Sequence, residues 1–387
     1  MKSWKRKLRM GMVGGGPGAF IGAVHRTAAV MDLQAEVVAG CFSQDPERSR
    51  QTGRELYLDP TRVYPTYQAM AEAERALPEG RRVDFVSIVT PNVSHFAIAK
   101  TFLQAGFNVV LDKPMTYTLG QAEELVKVVE ASGKIFAITF NYTGFPLVRH
   151  AREMFKSGQM GQVRKVLVEY IQDFLNVAHE KLGQKQAMWR TDPAQSGIAG
   201  TLGDIGTHCF NLVEYITGDR IVQLCADMSI FLPDRKLDED TNMLLRFAGG
   251  GKGVLTVSQV STGEDNGLRI KAYAAEGAIL WDQENPNYLD VYRYGEPRQT
   301  LMRAHGNYLA GIAAQGTRLP PGHQEGYLEA FANLYNGVFE AIRAQLDGTP
   351  MKPEQYAFPT VYDGLRAQRF IAKAVESHQK GAVWVDL

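Results

Sequence analysis

Lys113 has the residue type and position for proton transfer at a ligand site. It follows the apolar run Asn108 to Leu111, which predicts a buried strand, and it precedes Pro114. Open α/β sheets bind ligands at the carboxyl ends of their strands, where Lys113 would lie. Partial burial there would favour the neutral amine, which can accept a proton near physiological pH. The alternative is a lysine that extends from a strand end into solvent. Proline disfavours helical geometry in the residue before it, and a cis Lys113-Pro114 bond is a hypothesis that the structure can test.

Asp204 and His208 form a second candidate pair, four residues apart in a glycine-rich segment. At helical spacing, their side chains would point from the same face. The imidazole could then meet a substrate hydroxyl while the carboxylate binds another hydroxyl or orients a donor. The alternatives are a helix N-cap for Asp204 and a hydrogen-bonded core position for His208.

A glycine-rich loop follows the first apolar run, Leu8 to Val13, and opens a helical pattern at Phe20. Glycine allows a tight turn and a close approach to a pyrophosphate, while a helix N-terminus offers N–H groups and a partial positive charge. The alternative is an ordinary strand-to-helix turn, and the spacing G-x-G-x-x-x-G departs from the usual fingerprint. We predict a dinucleotide site at this loop. The predicted contacts are Gly14, Gly16, Gly18, Ala19, Phe20 and Ile21.

The second predicted strand ends at Ser43 without the acidic residue that usually binds the ribose hydroxyls of NAD. Ser43 would not repel a 2′-phosphate, and Arg48 lies one turn into the next helix. Both residues are predicted cofactor contacts, and the cofactor is NAD or NADP. Asp45 could reach the ribose instead, although its place before Pro46 is more typical of a helix N-cap.

The pattern of apolar segments along the chain predicts two domains, with the active site in the crevice between them. Strands alternate with helices over residues 1–142, which predicts an α/β Rossmann domain with a doubly wound parallel sheet. Strands then follow one another over residues 143–387, which predicts an α+β substrate-binding and oligomerisation domain with a large, mostly antiparallel open sheet. The predicted strands are Leu8 to Val13, Glu36 to Phe42, Phe85 to Val89, Asn108 to Leu111, Ile135 to Phe140, Val163 to Ile171, Ile221 to Phe231, Thr241 to Phe247, Gly253 to Gln259, Leu268 to Ala274, Ala278 to Asp282 and Tyr288 to Tyr292.

Four motifs, in their order and separation, resemble those of the Gfo/Idh/MocA family of oxidoreductases, which includes inositol dehydrogenases and glucose–fructose oxidoreductase. The resemblance covers nearly the whole chain. The motifs are Val89-Thr90-Pro91-Asn92-Val93-Ser94-His95, Asp112-Lys113-Pro114, Met188-Trp189-Arg190 and Gly200-Thr201-Leu202-Gly203-Asp204-Ile205-Gly206-Thr207-His208.

The resemblance implies a role for each motif. Lys113 and His208 become the proton-transfer candidates and Asp204 their polar partner, so that these three are the predicted catalytic residues. Asp112 stands where the family usually has glutamate, which shortens its reach to the nicotinamide ribose. The further predicted cofactor contacts are Thr90, Pro91, Asn92, His95, Asp112 and Lys113. The predicted substrate contacts are Lys113, Tyr142, Trp189, Arg190, Asp204, His208 and His323, whose aromatic and polar groups suit a polyhydroxylated ligand.

The amino-acid composition argues against several classes of function. Lysine plus arginine and aspartate plus glutamate number 42 each, so no overall field attracts nucleic acid or an acidic membrane surface. No apolar run approaches the ~20 residues of a membrane helix. Cys41, Cys209 and Cys225 are spaced irregularly, which favours neither disulfides nor a metal site. We predict a cytoplasmic protein that binds no nucleic acid, membrane or metal, and a solvated tail for the basic residues Lys2 to Arg9.

The combined expectation is an NAD(P)-dependent oxidoreductase that moves a hydride between nicotinamide and a hydroxyl of a sugar, inositol or related polyol. One alternative is a non-catalytic dinucleotide-binding sensor or regulator on the same fold. Another is an enzyme that uses transient oxidation to cleave a glycoside. We also expect a homo-oligomer, dimer or tetramer, because self-association is the simplest cover for an exposed sheet face in the second domain.

Overall fold

Short, largely buried strands build the parallel sheet of the first unit of the fold. The computed structural model describes residues 6–387. The first unit extends to Phe140 and includes the later segment Phe331–Leu365, and the second comprises Asn141–Ala330 and Arg366–Leu387. The sequence prediction did not include this return of the chain to the first unit, because the pattern of a buried helix does not reveal which sheet it packs on.

The five strands of the first unit are parallel and lie in the order β2-β1-β3-β4-β5. This confirms the doubly wound sheet. The strands are β1 (Leu8–Gly14), β2 (Ala35–Cys41), β3 (Phe85–Val89), β4 (Asn108–Leu111) and β5 (Phe136–Ile138). The intervening helices are α1 (Phe20–Val30), α2 (Pro46–Glu55), α3 (Tyr67–Ala76), α4 (Asn92–Gln104) and α5 (Leu119–Ser132).

The winding reverses at β1, which lies between β2 and β3. Gly14, the last residue of β1, is paired with Val89, the last residue of β3. The loops that follow these two strands therefore leave the sheet side by side. Open α/β sheets bind their ligands at such a switch point.

The second unit has a nine-stranded sheet in the order β13-β12-β11-β10-β6-β9-β8-β7-β14. Only β6 and β9 pair in parallel among these strands, which confirms the mostly antiparallel prediction. The strands are β6 (Val163–Ile171), β7 (Ile221–Ser229), β8 (Asp240–Phe247), β9 (Lys252–Ser258), β10 (Gly267–Ala274), β11 (Gly277–Asp282), β12 (Tyr288–Arg293), β13 (Gln299–Met302) and β14 (Val385–Asp386).

The remaining helices lie before, between and after these strands, and α11 begins in the second unit and continues in the first. Between α8 and α9 the chain forms one π-helical turn, Leu202–Gly206. The helices are α6 (Pro146–Lys156), α7 (Lys185–Arg190), α8 (Pro193–Ser196), α9 (Thr207–Thr217), α10 (Gly311–Gln315), α11 (Tyr327–Leu346) and α12 (Val361–Gln379). No helix within residues 6–387 is both long and apolar enough to cross a membrane.

The basic residues near the start of the chain correct one prediction. Arg6 forms an ion pair with Asp84, and Arg9 is a buried residue of β1 whose guanidinium donates to the carbonyls of Arg82 and Glu79. The prediction of a solvated tail is therefore wrong for these two arginines, because their side chains close the loop before β3. Lys2 and Lys5 lie outside the described residues.

Candidate functional site

In the glycine-rich loop after β1, the backbone of the loop packs closely against the backbone of α1. Gly14 has φ +88°, in the left-handed region that favours glycine. A Cβ on Gly22 would lie 2.3 Å from the Cα of Gly15, so the first turn of α1 lies directly against the loop. Within the described part of the chain, no side chain caps α1 at Ala19. The N-terminus of a helix carries a partial positive charge, which favours an anion such as a pyrophosphate at this loop.

Gly22 is the position at which this packing can be tested. Gly22→Ala adds one methyl group that must push the loop away from α1, and we expect NAD to bind at least about tenfold more weakly. Gly120→Ala is the matched control, because a Cβ at Gly120 would meet no atom within 4 Å. Calorimetric titration of both variants with NAD measures the effect. Equal affinity in the two variants would contradict this account of the loop.

Two side chains after β2 border the same loop. Asp45 accepts hydrogen bonds from the N–H groups of Glu47 (2.9 Å) and Arg48 (3.4 Å), which confirms it as the N-cap of α2. The exposed Arg48 guanidinium donates to the carbonyl of Pro17 in the glycine-rich loop at 3.3 Å. Ser43 accepts from the N–H of Asp45 at 3.1 Å. No carboxylate takes the usual ribose position here, so the geometry leaves both NAD and NADP possible.

The loop after β3 is joined to the turn at Lys113 by His95. The buried His95 ring lies between two carbonyl oxygens, with Nδ1 2.9 Å from Pro114 O and Nε2 2.7 Å from Thr90 O. Burial lowers the pKa of this imidazole, against the opposing effects of Asp112 and the two carbonyls. Both ring nitrogens are occupied within the protein, so His95 orients the predicted cofactor loop Thr90 to Asn92 instead of presenting a nitrogen to a ligand.

Lys113 lies at the carboxyl end of β4, as predicted, and the Lys113-Pro114 bond is cis, which confirms the hypothesis. The carboxylate of the neighbouring Asp112 accepts from Thr139 Oγ1 at 2.8 Å and lies 3.7 Å from His25 Nε2. Burial alone would raise the pKa of Asp112, but His25, the charge of Lys113 and the Thr139 bond together hold it well below its usual range. Asp112 is therefore an anion engaged with core groups of the first unit.

Asp204 belongs to the second unit and lies on the π-helical turn, where the N–H of Thr207 reaches back to the carbonyl of Leu202. Its Oδ2 accepts from Arg190 Nε and Gln259 Nε2, each at 3.1 Å. The Asp204 carboxylate therefore does not cap a helix, which was the alternative for this residue. Asp238 instead binds the N–H groups that open the segment, at Gly200 and Leu202.

His208 lies one turn after Asp204 and is buried against aromatic rings. The Tyr142 ring meets the imidazole edge to face, with a centroid distance of 4.7 Å. The Tyr142 hydroxyl is 2.6 Å from that of Tyr170, which in turn donates to Asn266 Oδ1 at 2.6 Å. Burial raises the pKa of Tyr142 to about 12, so that this tyrosine remains a neutral hydroxyl at physiological pH.

Several polar residues of this site were not found from the sequence. Gln172 bonds both Asn266 (2.7 Å) and Gln259 (3.0 Å), and Gln259 then bonds Asp204. These side chains adjoin β6, β9 and β10, which are neighbours in the sheet. Polar residues at or just beyond the ends of predicted strands were the available signal, but their adjacency depends on a strand order that the sequence does not state.

The remaining predicted substrate residues divide into two groups. Arg190 stacks over Trp189 at 4.4 Å while binding Asp204, so α7 belongs to the network around Asp204. His323 is an exposed loop residue whose carbonyl accepts from Arg303. Metal-ligand clusters of three or more His, Cys, Asp or Glu residues are absent from residues 6–387.

A doubly wound sheet with a glycine-rich loop at its switch point defines the first unit as a dinucleotide-binding domain of the oxidoreductase type. Comparison with known families agrees. Residues 8–140 match the oxidoreductase family with an NAD-binding Rossmann fold, and residues 148–280 match the GFO/IDH/MocA C-terminal domain. The chain belongs to the Gfo/Idh/MocA family of NAD-binding oxidoreductases.

Known proteins are similar to this chain over essentially its whole length. The uncharacterized oxidoreductase YfiI of Bacillus subtilis is 33% identical, over 98% of this chain and 97% of its own length. A solved oxidoreductase from Sinorhizobium meliloti is 42% identical with a TM-score of 0.88, over 98% of this chain and 100% of that chain. An inositol dehydrogenase homolog from Azotobacter vinelandii in complex with NAD+ is 35% identical with a TM-score of 0.93, over 99% and 98%. The same Azotobacter protein has also been solved with NADH and myo-inositol.

Proposed function

We propose that this protein is an NAD(P)-dependent dehydrogenase that oxidises a CH–OH group of an inositol, sugar or related polyol. The observation that carries the proposal is the polar network around Asp204, next to His208. It combines a carboxylate, a guanidinium and side-chain amides with aromatic rings. Such a surface suits a ligand that presents several hydroxyls and apolar C–H faces.

The residues of the first unit fit a bound dinucleotide. The glycine-rich loop and the first turn of α1 would hold the pyrophosphate. The loop lies directly against this turn, since a Cβ at Gly22 would collide with Gly15. The loop Thr90 to Asn92 and the end of β4 would border the nicotinamide, with Ser43 and Arg48 near the adenosine ribose. When bound, the nicotinamide supplies the hydride acceptor of the reaction.

In the proposed mechanism, Lys113 and His208 act on the proton of the reacting hydroxyl and Asp204 binds a neighbouring hydroxyl. Lys113 or His208 removes the alcohol proton as the hydride leaves carbon. Arg190 and Gln259 fix the carboxylate of Asp204 so that it accepts from the substrate in one orientation. The two tyrosines beside His208 exclude water from the imidazole and limit its rotation.

A spectrophotometric screen tests the proposal. Inositols, aldoses and glycosides are offered with NAD and NADP in parallel, and absorbance of the reduced cofactor is followed. We expect reduction with at least one polyol, and we place inositols first because the Azotobacter homolog was solved with myo-inositol. Cofactor binding without reduction by any member of the panel would favour a sensor. Glycoside cleavage without accumulation of reduced cofactor would favour the redox-assisted alternative.

We further propose a homo-oligomer formed through the sheet of the second unit. Leu244 of β8 and Val254 of β9 are directly paired on its outer face and are 50% and 36% exposed. A second copy of the chain would cover these apolar side chains. Sedimentation at micromolar concentration should show a dimer or tetramer, whereas a monomer at that concentration would refute this proposal. The three free cysteines fit a reducing, cytoplasmic location.

A further inference from the structure

A buried polar cluster adjoins Asp112, the residue before Lys113, and the proposed mechanism gives this cluster no role. His25 of α1 is wholly buried, and its Nδ1 is 2.8 Å from Tyr335 OH and 3.2 Å from Ser87 Oγ. The Tyr335 and Ser87 hydroxyls are 3.1 Å apart. The other ring nitrogen of His25 faces the carboxylate of Asp112 at 3.7 Å. We name these four residues the His25 cluster.

The two ring nitrogens of His25 face different partners. The 3.7 Å contact between Nε2 and the Asp112 carboxylate is longer than a hydrogen bond, and it is favourable because a carboxylate attracts the N–H edge of the ring. The opposite nitrogen has the Tyr335 and Ser87 hydroxyls within hydrogen-bond distance. Thr139 binds the same carboxylate at 2.8 Å.

Asp112 connects this cluster to the next residue of the chain, Lys113. Its side chain is only 14% exposed, and its N–H donates to the carbonyl of Ile88 at 3.0 Å. Backbone and side chain of Asp112 are thus both fixed by other elements of the first unit. The titratable groups that act on this carboxylate or feel its charge are His25, Lys113, His95 of α4 and Tyr335 of α11.

We propose that His25 is a positioning residue for Lys113. By holding the carboxylate of Asp112 inside the first unit, it fixes the backbone that presents the Lys113 amine and keeps an anion beside it. This inference rests on the proposed function for its kinetic part only. The anchoring of the Asp112 side chain is a property of the chain without cofactor or substrate.

Asp112→Asn tests the anchoring of this segment without requiring activity. The substitution keeps the shape of the side chain and removes the carboxylate that faces His25 Nε2 and accepts from Thr139 Oγ1. Cofactor-free protein is labelled with an N-hydroxysuccinimide ester at pH 7, and mass spectrometry compares Lys113 with the exposed Lys127 in the same molecule. We expect the ratio of Lys113 to Lys127 labelling to rise at least about threefold in the variant, because the segment that presents Lys113 is held less firmly. An unchanged ratio would overturn the anchoring part of the proposal.

His25→Asn and His25→Gln test the positioning role as a matched pair. The asparagine amide overlaps the Nδ1 end of the imidazole and loses the donor to Asp112, whereas the glutamine amide reaches the Nε2 end and keeps it. We expect kcat to fall at least about tenfold in His25→Asn with NAD affinity within about threefold, and His25→Gln to recover most of kcat. Rates are normalised to NAD-binding sites, so that a loss of folded protein does not count.

Tyr335→Phe is a second variant in case both His25 variants fold poorly. It retains the aromatic packing and removes the partner of Nδ1, so a smaller fall in kcat with unchanged NAD affinity is expected. A kcat equal to that of the unsubstituted protein in His25→Asn and Tyr335→Phe would overturn the positioning role. If none of the polyols supports NAD reduction by the unsubstituted protein, the proposed function fails instead, and the labelling result still decides whether Asp112 anchors the segment that presents Lys113.

Discussion

Replacing Lys113 with alanine is expected to lower kcat by about 10²–10⁴ and to change the affinity for NAD by less than about threefold. The loss follows from removing an amine that takes the substrate proton while the glycine-rich loop stays intact. Stopped-flow measurement of cofactor reduction at saturating polyol gives the rate, and titration gives the affinity. Lys113→Met, which keeps much of the side-chain volume, should lose as much as the alanine variant.

The Lys113 result has two internal controls. Lys127→Ala removes an exposed lysine of α5 and should leave kcat unchanged. A small primary amine such as methylamine added to Lys113→Ala should restore part of the rate if the missing group is a proton acceptor. Undiminished turnover in Lys113→Ala would remove this residue from the mechanism, and a loss of NAD affinity equal to the loss of kcat would make it a cofactor-binding residue only.

Replacing His208 with asparagine is expected to lower kcat by about 10²-fold or more, without weakening NAD binding. His208 belongs to the second unit, and its imidazole is held edge to face on Tyr142 at 4.7 Å. The shorter amide cannot reproduce both the reach and the basicity of the ring. The pH dependence of kcat should also lose one limb, because one titrating proton-transfer group has been removed.

Tyr142→Phe is the matched control for His208. Phenylalanine keeps the ring that packs on the imidazole and removes only the hydroxyl bonded to Tyr170. We expect a fall in kcat several-fold smaller than in His208→Asn. Equal losses in the two variants would mean that the tyrosine pair, and not the imidazole, is the functional element. A full rate in His208→Asn would exclude the residue from proton transfer.

The sequence predicted the first unit well because buried parallel strands are continuous apolar runs. The strands Phe85–Val89 and Asn108–Leu111 have the predicted bounds, and the fifth is shorter than the predicted Ile135 to Phe140. In the second unit, β13 and β14 were not predicted. Gln299–Met302 is largely exposed and Val385–Asp386 has two residues, so neither shows the alternation that identifies a strand.

The sequence predicted the residue types of the candidate site but not the hydrogen bonds and packing contacts between them. The spacing of Asp204 and His208 indicated a helix, whereas the chain forms a π-helical turn before α9. Five residues escaped notice because only strand order or helix packing brings them to the site. They are His25, Tyr170, Gln172, Gln259 and Asn266. His25 in particular occupies a buried helix face on which a histidine does not differ in pattern from an apolar residue.

The most direct test of hydride transfer is the fate of the hydrogen on the reacting carbon. The polyol that is oxidised fastest is prepared with deuterium on its CH–OH carbons and incubated with the protein and oxidised cofactor. Mass spectrometry of the reduced cofactor should then show the gain of a single deuterium per molecule. Reduced cofactor that contains only hydrogen, or a deuterated polyol that reacts without reducing any cofactor, would contradict the proposed function.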